Sequence, residues 1–256
     1  MLELYHDSDS IMSFKVRFCL AEKGLEWQER RVVLGKFENL TPEYLKINSG
    51  GVVPTLVHDG NIVTESSVIN EYLDEVFPDP ALKPRTPIGR ARMRIWTKYQ
   101  DDVIHHAVRP ATFQLMIKQR FKGLSEEEMD AKVAAHPMPE RRKAYRQWTT
   151  GPVDVAAVQS AIDQMREIVM KLEQRLAQSL WLAGDTFSLA DIAVATFVDR
   201  VDHLLFDFLW KDRPSVQGWI NRIKDRAAYH QAKPKHRLPV PDQRDVDLCK
   251  IITRHD

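Results

Sequence analysis

Val53 to Pro87 reads VPTLVHDGNIVTESSVINEYLDEVFPDPALKPRTP, and two features of this stretch decide the fold. The first is a strand–turn–strand–helix pattern. Val53-Pro54-Thr55-Leu56-Val57 opens a strand, His58-Asp59-Gly60-Asn61 is a hairpin turn, and Ile62-Val63 returns. Glu65-Ser66 then starts a helix whose apolar face carries Val68, Ile69, Tyr72, Leu73 and Val76. The second feature is the closing PDPALKPRTP, with four prolines from Pro78 to Pro87. Proline cannot continue a helix and restricts the residue before it, so this is a linker.

Upstream, Leu2 and Leu4 alternate with polar residues in a short strand. Ser8-Asp9-Ser10 supplies helix-start chemistry, Val16, Cys19 and Leu20 share one face, and Gly24 is a stop. Arg31-Val32-Val33-Leu34 reads as a second strand and Pro42 to Ile47 as a short helix. The order is βαβαββα, a mixed sheet covered by helices. Downstream the periodicity is helical throughout. One helix is expected from Ile88 to Arg109, continuing through Ala111 to Phe121 after a kink at Pro110. Val155, Val158, Ile162, Met165, Val169, Leu172 and Leu176 form an unbroken amphipathic stripe. Leu189 to Leu209 is the core helix, and Pro214 to Arg226 another. The polar stretch Lys122 to Pro152, with its runs Glu126-Glu127-Glu128 and Arg141-Arg142-Lys143, reads as solvated faces. The Pro- and charge-rich tail after Lys233 reads as lying along the surface. Two domains are expected, over residues 1–80 and 88–256.

Composition narrows the function. Among 256 residues, 37 basic and 36 acidic side chains leave a formal charge of +1, which supplies no footprint for nucleic acid. No apolar run approaches the ~18 residues of a membrane span, and no secretory signal is visible. Cys19 and Cys249 cannot alone form a disulfide framework or a zinc site. Cys19 reads as core packing, and the chain as one from a reducing compartment, with no metal.

Four motifs carry chemistry. Pro54, in the first position of a strand after Gly50-Gly51, reads either as a plain turn or as a cis bond. The cis bond would turn the Val53 N–H and C=O outward to pair with an extended peptide. Thr64-Glu65-Ser66 is either an ordinary cap or a site for an α-amino acid, its carboxylate on the helix amides and its ammonium on Glu65. In Ser10-Ile11-Met12-Ser13-Phe14-Lys15-Val16-Arg17, a hydroxyl at a helix N-terminus either caps or donates to a thiolate. Phe187-Ser188-Leu189-Ala190-Asp191-Ile192 is a capping box with a hydrophobic staple, and is structural.

Together these segments resemble the cytosolic glutathione transferase family over about residues 1–230: a thioredoxin-like domain, a proline-rich linker and an all-helical domain. Gly35-Lys36-Phe37-Glu38, Val57 to Pro78, Arg92 to Asp102, and the insertion with Glu126 to Met129 and Met138-Pro139-Glu140 are most similar to its bacterial members that cleave β-aryl ethers of lignin-derived aromatics. The resemblance implies that Val53, beside cis-Pro54, binds the cysteinyl backbone of glutathione. It implies that Glu65 and Ser66 hold the γ-glutamyl end and Asn39 the glycyl end. Ser13 matches the thiol-activating serine of the ether-cleaving group without a gap, and Ser10 matches the plant- and omega-type helix start. Ser13→Ala is expected to cost more turnover than Ser10→Ala. Tyr99, His106 and Arg109 are expected to line the electrophile cleft, alongside His105, Phe113 and Met116. Asp101 or Asp102 is expected to reach glutathione across a homodimer.

The implied activity is a glutathione-dependent transferase: a thiolate attacks an aromatic electrophile, in an ether the carbon beside a ketone, and a phenolate leaves. The alternatives are a general detoxifying transferase, an isomerase, or a glutathione-binding protein without activity. A cytoplasmic homodimer is expected.

Overall fold

The structure is a computed structural model that describes residues 1–242 and 244–247; Cys249 lies outside them. Strand β1 (Leu2–His6) buries every second residue and occupies the middle of a four-stranded sheet. It pairs in parallel with β2 (Gln28–Arg31) and antiparallel with β3 (Thr55–His58), which pairs antiparallel with β4 (Asn61–Val63). Helix α1 (Ile11–Glu22) is the crossover between the parallel strands, as that connection requires. Helices α2 (Pro42–Ile47) and α3 (Ser66–Val76) complete the N-terminal domain.

The second strand ends at Arg31 and does not include Val32 to Leu34. It is an edge strand and all four of its residues are exposed, so its polar Gln-Glu-Arg-Arg sequence suits it. Val32 turns inward to a small cluster with Tyr44 and Val53. The apolar face of α3 is narrower than its sequence suggests. Ile69 and Leu73 are buried, but Val68 is 55% and Val76 41% exposed.

Past the linker the chain is helical: α4 (Pro87–Tyr99), α5 (His105–Leu115), α6 (Glu126–Val133), α7 (Pro139–Thr149), α8 (Val155–Leu176), α9 (Leu189–His203), α10 (Pro214–Lys224) and α11 (Ala227–Ala232). The expected kink at Pro110 is absent as a break, since Pro110 sits inside α5. The interruption lies earlier, in a π turn over Gln100–Ile104. Such a turn inserts one residue and rotates everything after it by about 100° relative to an unbroken helix. The Ser188–Asp191 capping box forms as expected, and Asp191 also accepts from Trp219 Nε1 (3.0 Å) and the Leu182 amide (3.0 Å).

Two further expectations fail. Lys122 to Pro152 is not merely a solvated stretch: α6 and α7 come from it, and they form a wall described below. Nor does the tail simply lie on the surface. Leu238 is buried and its amide donates to Asp9 Oδ2 (2.8 Å), while the His236 amide donates to Ser8 Oγ (2.9 Å).

Helix α1 packs against α3, α9 and α11, and one apolar cluster runs from Leu4 through Phe14 and Phe18 to Phe197 and Trp219. Cys19 belongs to it, and burial pushes its thiol far up, which keeps it unreactive. Two buried ion pairs fasten α1 and the loop before it to the helical domain. Lys15, fully buried, donates to Ser67 Oγ (2.6 Å) and to Asp101 Oδ1 (2.7 Å) in the π turn. Arg200 on α9 pairs with Asp9 at 2.9 Å, both side chains being 4% exposed. Among the described residues no helix is long and apolar enough to cross a membrane.

Candidate functional site

The N-terminus of α1 opens into a cleft between the sheet side and the helical domain. Ser10 is its N-cap: Oγ accepts from the Ser13 amide (3.2 Å). Accepting uses a lone pair and leaves the hydroxyl proton free to donate. The Phe14 amide closes the first helical turn on the Ser10 carbonyl, so the amides of Ile11 and Met12 face the cleft end of the helix dipole. Ser10, Ile11 and Met12 line the cleft. Ser13 does not: it is fully buried in the first turn, and its Oγ has no hydrogen-bond partner.

Of the expected sheet-side residues, Val53 and Asn39 line the cleft with Ser10, while Pro54, Glu65 and Ser66 stand outside its lining. The β1–β3 ladder ends at Tyr5↔Thr55, so the Val53 amide and carbonyl lie beyond it, next to the cis Val53–Pro54 bond. Val53 lines the cleft. Asn39, buried, donates from Nδ2 to the Gly51 carbonyl (2.7 Å), and its Oδ1 is unpartnered. Glu65 stands at the N-cap of α3 with φ +64°, a backbone strain that a non-glycine residue keeps only where the surroundings impose it. Its carboxylate forms no ion pair among the described residues, and no side chain caps the first amides of α3. Ser66 Oγ donates to Met12 Sδ (3.5 Å), so Met12 lies between the end of α1 and the end of α3.

The helical wall differs from its sequence reading. Arg109 lines the cleft, but Tyr99 and His106 do not. Tyr99 turns toward α8, where the Lys171 ammonium sits 3.8 Å from its ring centre, and His106 is exposed. The π turn accounts for Tyr99, because it shifts the helical phase between Tyr99 and the residues that follow; His106 follows the turn with Arg109, and within α5 it is His105, four residues before Arg109, that shares the cleft face. His105, Arg109, Thr112 and Phe113 face the cleft instead. Asp101 and Asp102 are engaged within the chain, by Lys15 with Ser67 and by Lys98.

The rest of this wall comes from the α6–α7 insertion. His136, Arg141 and Tyr145 line the cleft, and Tyr145 packs its ring against Phe113 (5.3 Å between centres) and Phe37 (5.7 Å). Arg109 lies over Phe113 and Trp148, 5.6 and 5.5 Å from their centres. Arg141, Tyr145 and Trp148 are spaced i, i+4, i+7, a single helical face, and that spacing was the available signal for this wall. Burial and the nearby arginines hold His136 down to about 4 and His105 well below the usual histidine range, so both rings are neutral. The Met138 amide donates to His136 Nδ1 (3.2 Å), which puts the proton of this neutral ring on Nε2. The cleft has a volume of about 130 Å³. Its size compares with the ~150 Å³ cavity that holds one benzene ring.

Comparison with known proteins agrees with this architecture. Residues 9–76 match the glutathione S-transferase N-terminal domain, and residues 155–222 match the C-terminal domain. The chain is 34% identical to Protein LigF of Sphingobium sp. (strain NBRC 103272 / SYK-6), over 89% of this chain and 91% of that protein. The crystal structure of β-etherase LigF superposes with a TM-score of 0.82 at 32% identity, covering 90% of this chain and 98% of that one. A tetrachloro-p-hydroquinone reductive dehalogenase of Sphingobium chlorophenolicum is 26% identical over 91% of this chain and 95% of that protein.

Proposed function

Since the chain belongs to the glutathione S-transferase family and is a glutathione-dependent transferase, we propose that it cleaves a β-aryl ether of an aromatic ketone, the activity that the name β-etherase gives its relative LigF. One observation carries this reading. The N-terminus of α1, with the Ser10 hydroxyl, opens into the same cleft as a ring-sized aromatic space.

Glutathione fits the sheet side. The Val53 amide and carbonyl beyond the ladder pair with its cysteinyl backbone, with Pro54 setting the turn. The unpartnered Asn39 Oδ1 suits an amide N–H toward the glycyl end. The free Glu65 carboxylate suits the γ-glutamyl ammonium, and the Ser66 hydroxyl with the open α3 amides suits its carboxylate. The Ser66 hydroxyl exchanges Met12 for the ligand.

An unperturbed thiol has a pKa of ~8.5, so free glutathione is mostly protonated at neutral pH. The Ser10 O–H and the amide end of α1 favour the thiolate, the nucleophilic form. The sulfur bonds to the carbon beside the ketone while that carbon's bond to the aryl oxygen breaks, and the phenolate leaves with the electron pair. No oxidant or reductant is consumed. Ser13 is a second candidate for the thiol donor, because its buried Oγ has no partner. Its burial behind the lining makes Ser10 the stronger one, which reverses the ranking expected from the sequence match.

A cytoplasmic homodimer is part of this reading. The exposed Val68 on α3, with Ile88 (61%) and Ile95 (63%) on α4, supplies apolar surface for a second copy. Sedimentation at micromolar concentration checks the dimer. Calorimetric titration of glutathione, followed by product analysis with a β-aryl ether ketone, tests the activity. A glutathione thioether and a free phenol are expected. Binding without ether cleavage would move the function to another electrophile. No binding at millimolar glutathione would overturn the reading.

A further inference from the structure

Among the described residues, the helical wall holds two cations with no carboxylate paired to them; Arg109 has only the faces of Phe113 and Trp148. Arg109 and Arg141 are half-buried, and neither forms an ion pair or a side-chain hydrogen bond among the described residues. Burial lowers the pKa of both, and Arg141 pushes Arg109 further, to about 10. The acids around them are committed or distant. Asp7 accepts from the amides of Asp9 and Leu34, and Asp9 is paired with Arg200. Glu140 and Glu65 act on Arg141 only from beyond ion-pair distance. Two guanidinium groups turned into one cleft without a counter-charge are costly unless an anion joins them.

The other polar groups of this wall also suit an anion. His105 and His136 are neutral, and His136 carries its proton on Nε2, a donor. Phe113 and Tyr145 bound the same space, which takes one aromatic ring. The carboxylates of glutathione have partners elsewhere in the proposed site. The γ-glutamyl carboxylate has the open amides of α3. On the glycyl side, beside Asn39, stands Arg120, which approaches Gly35.

Resting on the transferase reading, we propose that the electrophile carries a carboxylate on its aromatic part, received by the Arg109 and Arg141 guanidinium groups. A planar guanidinium matches a carboxylate with two parallel hydrogen bonds, and the ring then lies against the Phe113–Tyr145 pair, which bounds the cleft.

The test compares 4-chloro-3-nitrobenzoate with 4-chloro-3-nitrobenzamide in the full chain. Both give a glutathione thioether and chloride. The neutral amide group withdraws more electron density than the carboxylate, so intrinsic reactivity works against the acid. An acid-to-amide ratio of kcat/KM of about tenfold or more is expected, falling to about one in Arg141→Gln and in Arg109→Gln. Calorimetry of the two compounds alone is the second readout, expected to favour the acid by a similar factor. Equal handling of acid and amide by the unmodified protein overturns the proposal. So does a ratio that survives both substitutions. A fall in glutathione affinity in the variants with the ratio unchanged would assign the arginines to the tripeptide and also overturn it. If neither compound yields a thioether, calorimetry alone decides: a preference for the acid that is lost in both variants supports the proposal, and equal binding of acid and amide overturns it, while the transferase reading is tested separately by glutathione binding.

Discussion

The two walls of the cleft are built on opposite principles. On the sheet side, polar groups are placed by short-range backbone geometry. The ladder stops at Thr55, Glu65 is held at positive φ, and Ser10 caps α1. The charge available there is a carboxylate. On the helical side, positions depend on helical phase and on an insertion, and the charge is cationic: Arg109 and Arg141 beside two neutral histidines. One wall suits a ligand with a fixed backbone pattern, the other an aromatic partner. The first is therefore set by the local chain, and the second by how the helices and the insertion pack.

The largest expected effect comes from cutting the tie between the walls. Arg200→Met strands the Asp9 carboxylate in a buried site and should lower the unfolding free energy by about 3–5 kcal/mol in chemical denaturation. Asp9→Leu with Arg200→Met should lose much less, because no charge is stranded; equal losses would show that packing, and not charge, joins the walls there. Next is the proposed thiol donor. Ser10→Ala should cost roughly 10²-fold in kcat with its N-cap contribution of about 1 kcal/mol, while Ser13→Ala costs less than tenfold. The opposite ranking would move the donor into the first turn of α1.

Acid stability sets the walls against each other more gently. His6 on β1 is held down to about 4 by burial and by Arg17, and His136 by burial and Arg141. The unfolded chain takes up these protons near pH 6.5, before the folded one does. Their contribution is thus fully present above about pH 6.5 and is lost as pH falls through about 4. Denaturation midpoints across that window should show the loss, and His136→Gln should flatten it on the helical side only. The smallest effect is local. Arg141→Gln should raise the His105 and His136 pKa values, read from their ring proton shifts, and leave His6 where it is.

The sheet side was legible because its signals are local. A proline at a strand start, an Asp-Gly hairpin and a capping hydroxyl each act within four residues, and the order of elements along the chain followed from them. The edge strand misled for the same reason: Val32-Val33-Leu34 is the apolar run, but the pairing falls on the polar residues before it. The helical wall needed information that no local pattern carries. Nothing in Gln100 to Ile104 advertises a π turn, and without it Tyr99 is read as sharing the cleft face with Arg109. The run Arg141-Arg142-Lys143 looks solvated until Tyr145 and Trp148 are counted on the same face as Arg141. Leu238 joined the site through tertiary contacts that span almost the whole chain.

Those contacts bear on the order in which the protein is made. The Asp9 carboxylate, at the threshold of α1, receives one oxygen's partner from Arg200, 191 residues later, and the other's from the Leu238 amide, 229 residues later. During synthesis the loop before α1 leaves the ribosome long before either. Its final shape waits for the far end of the chain, so the first part of the active site to be translated is among the last to be completed.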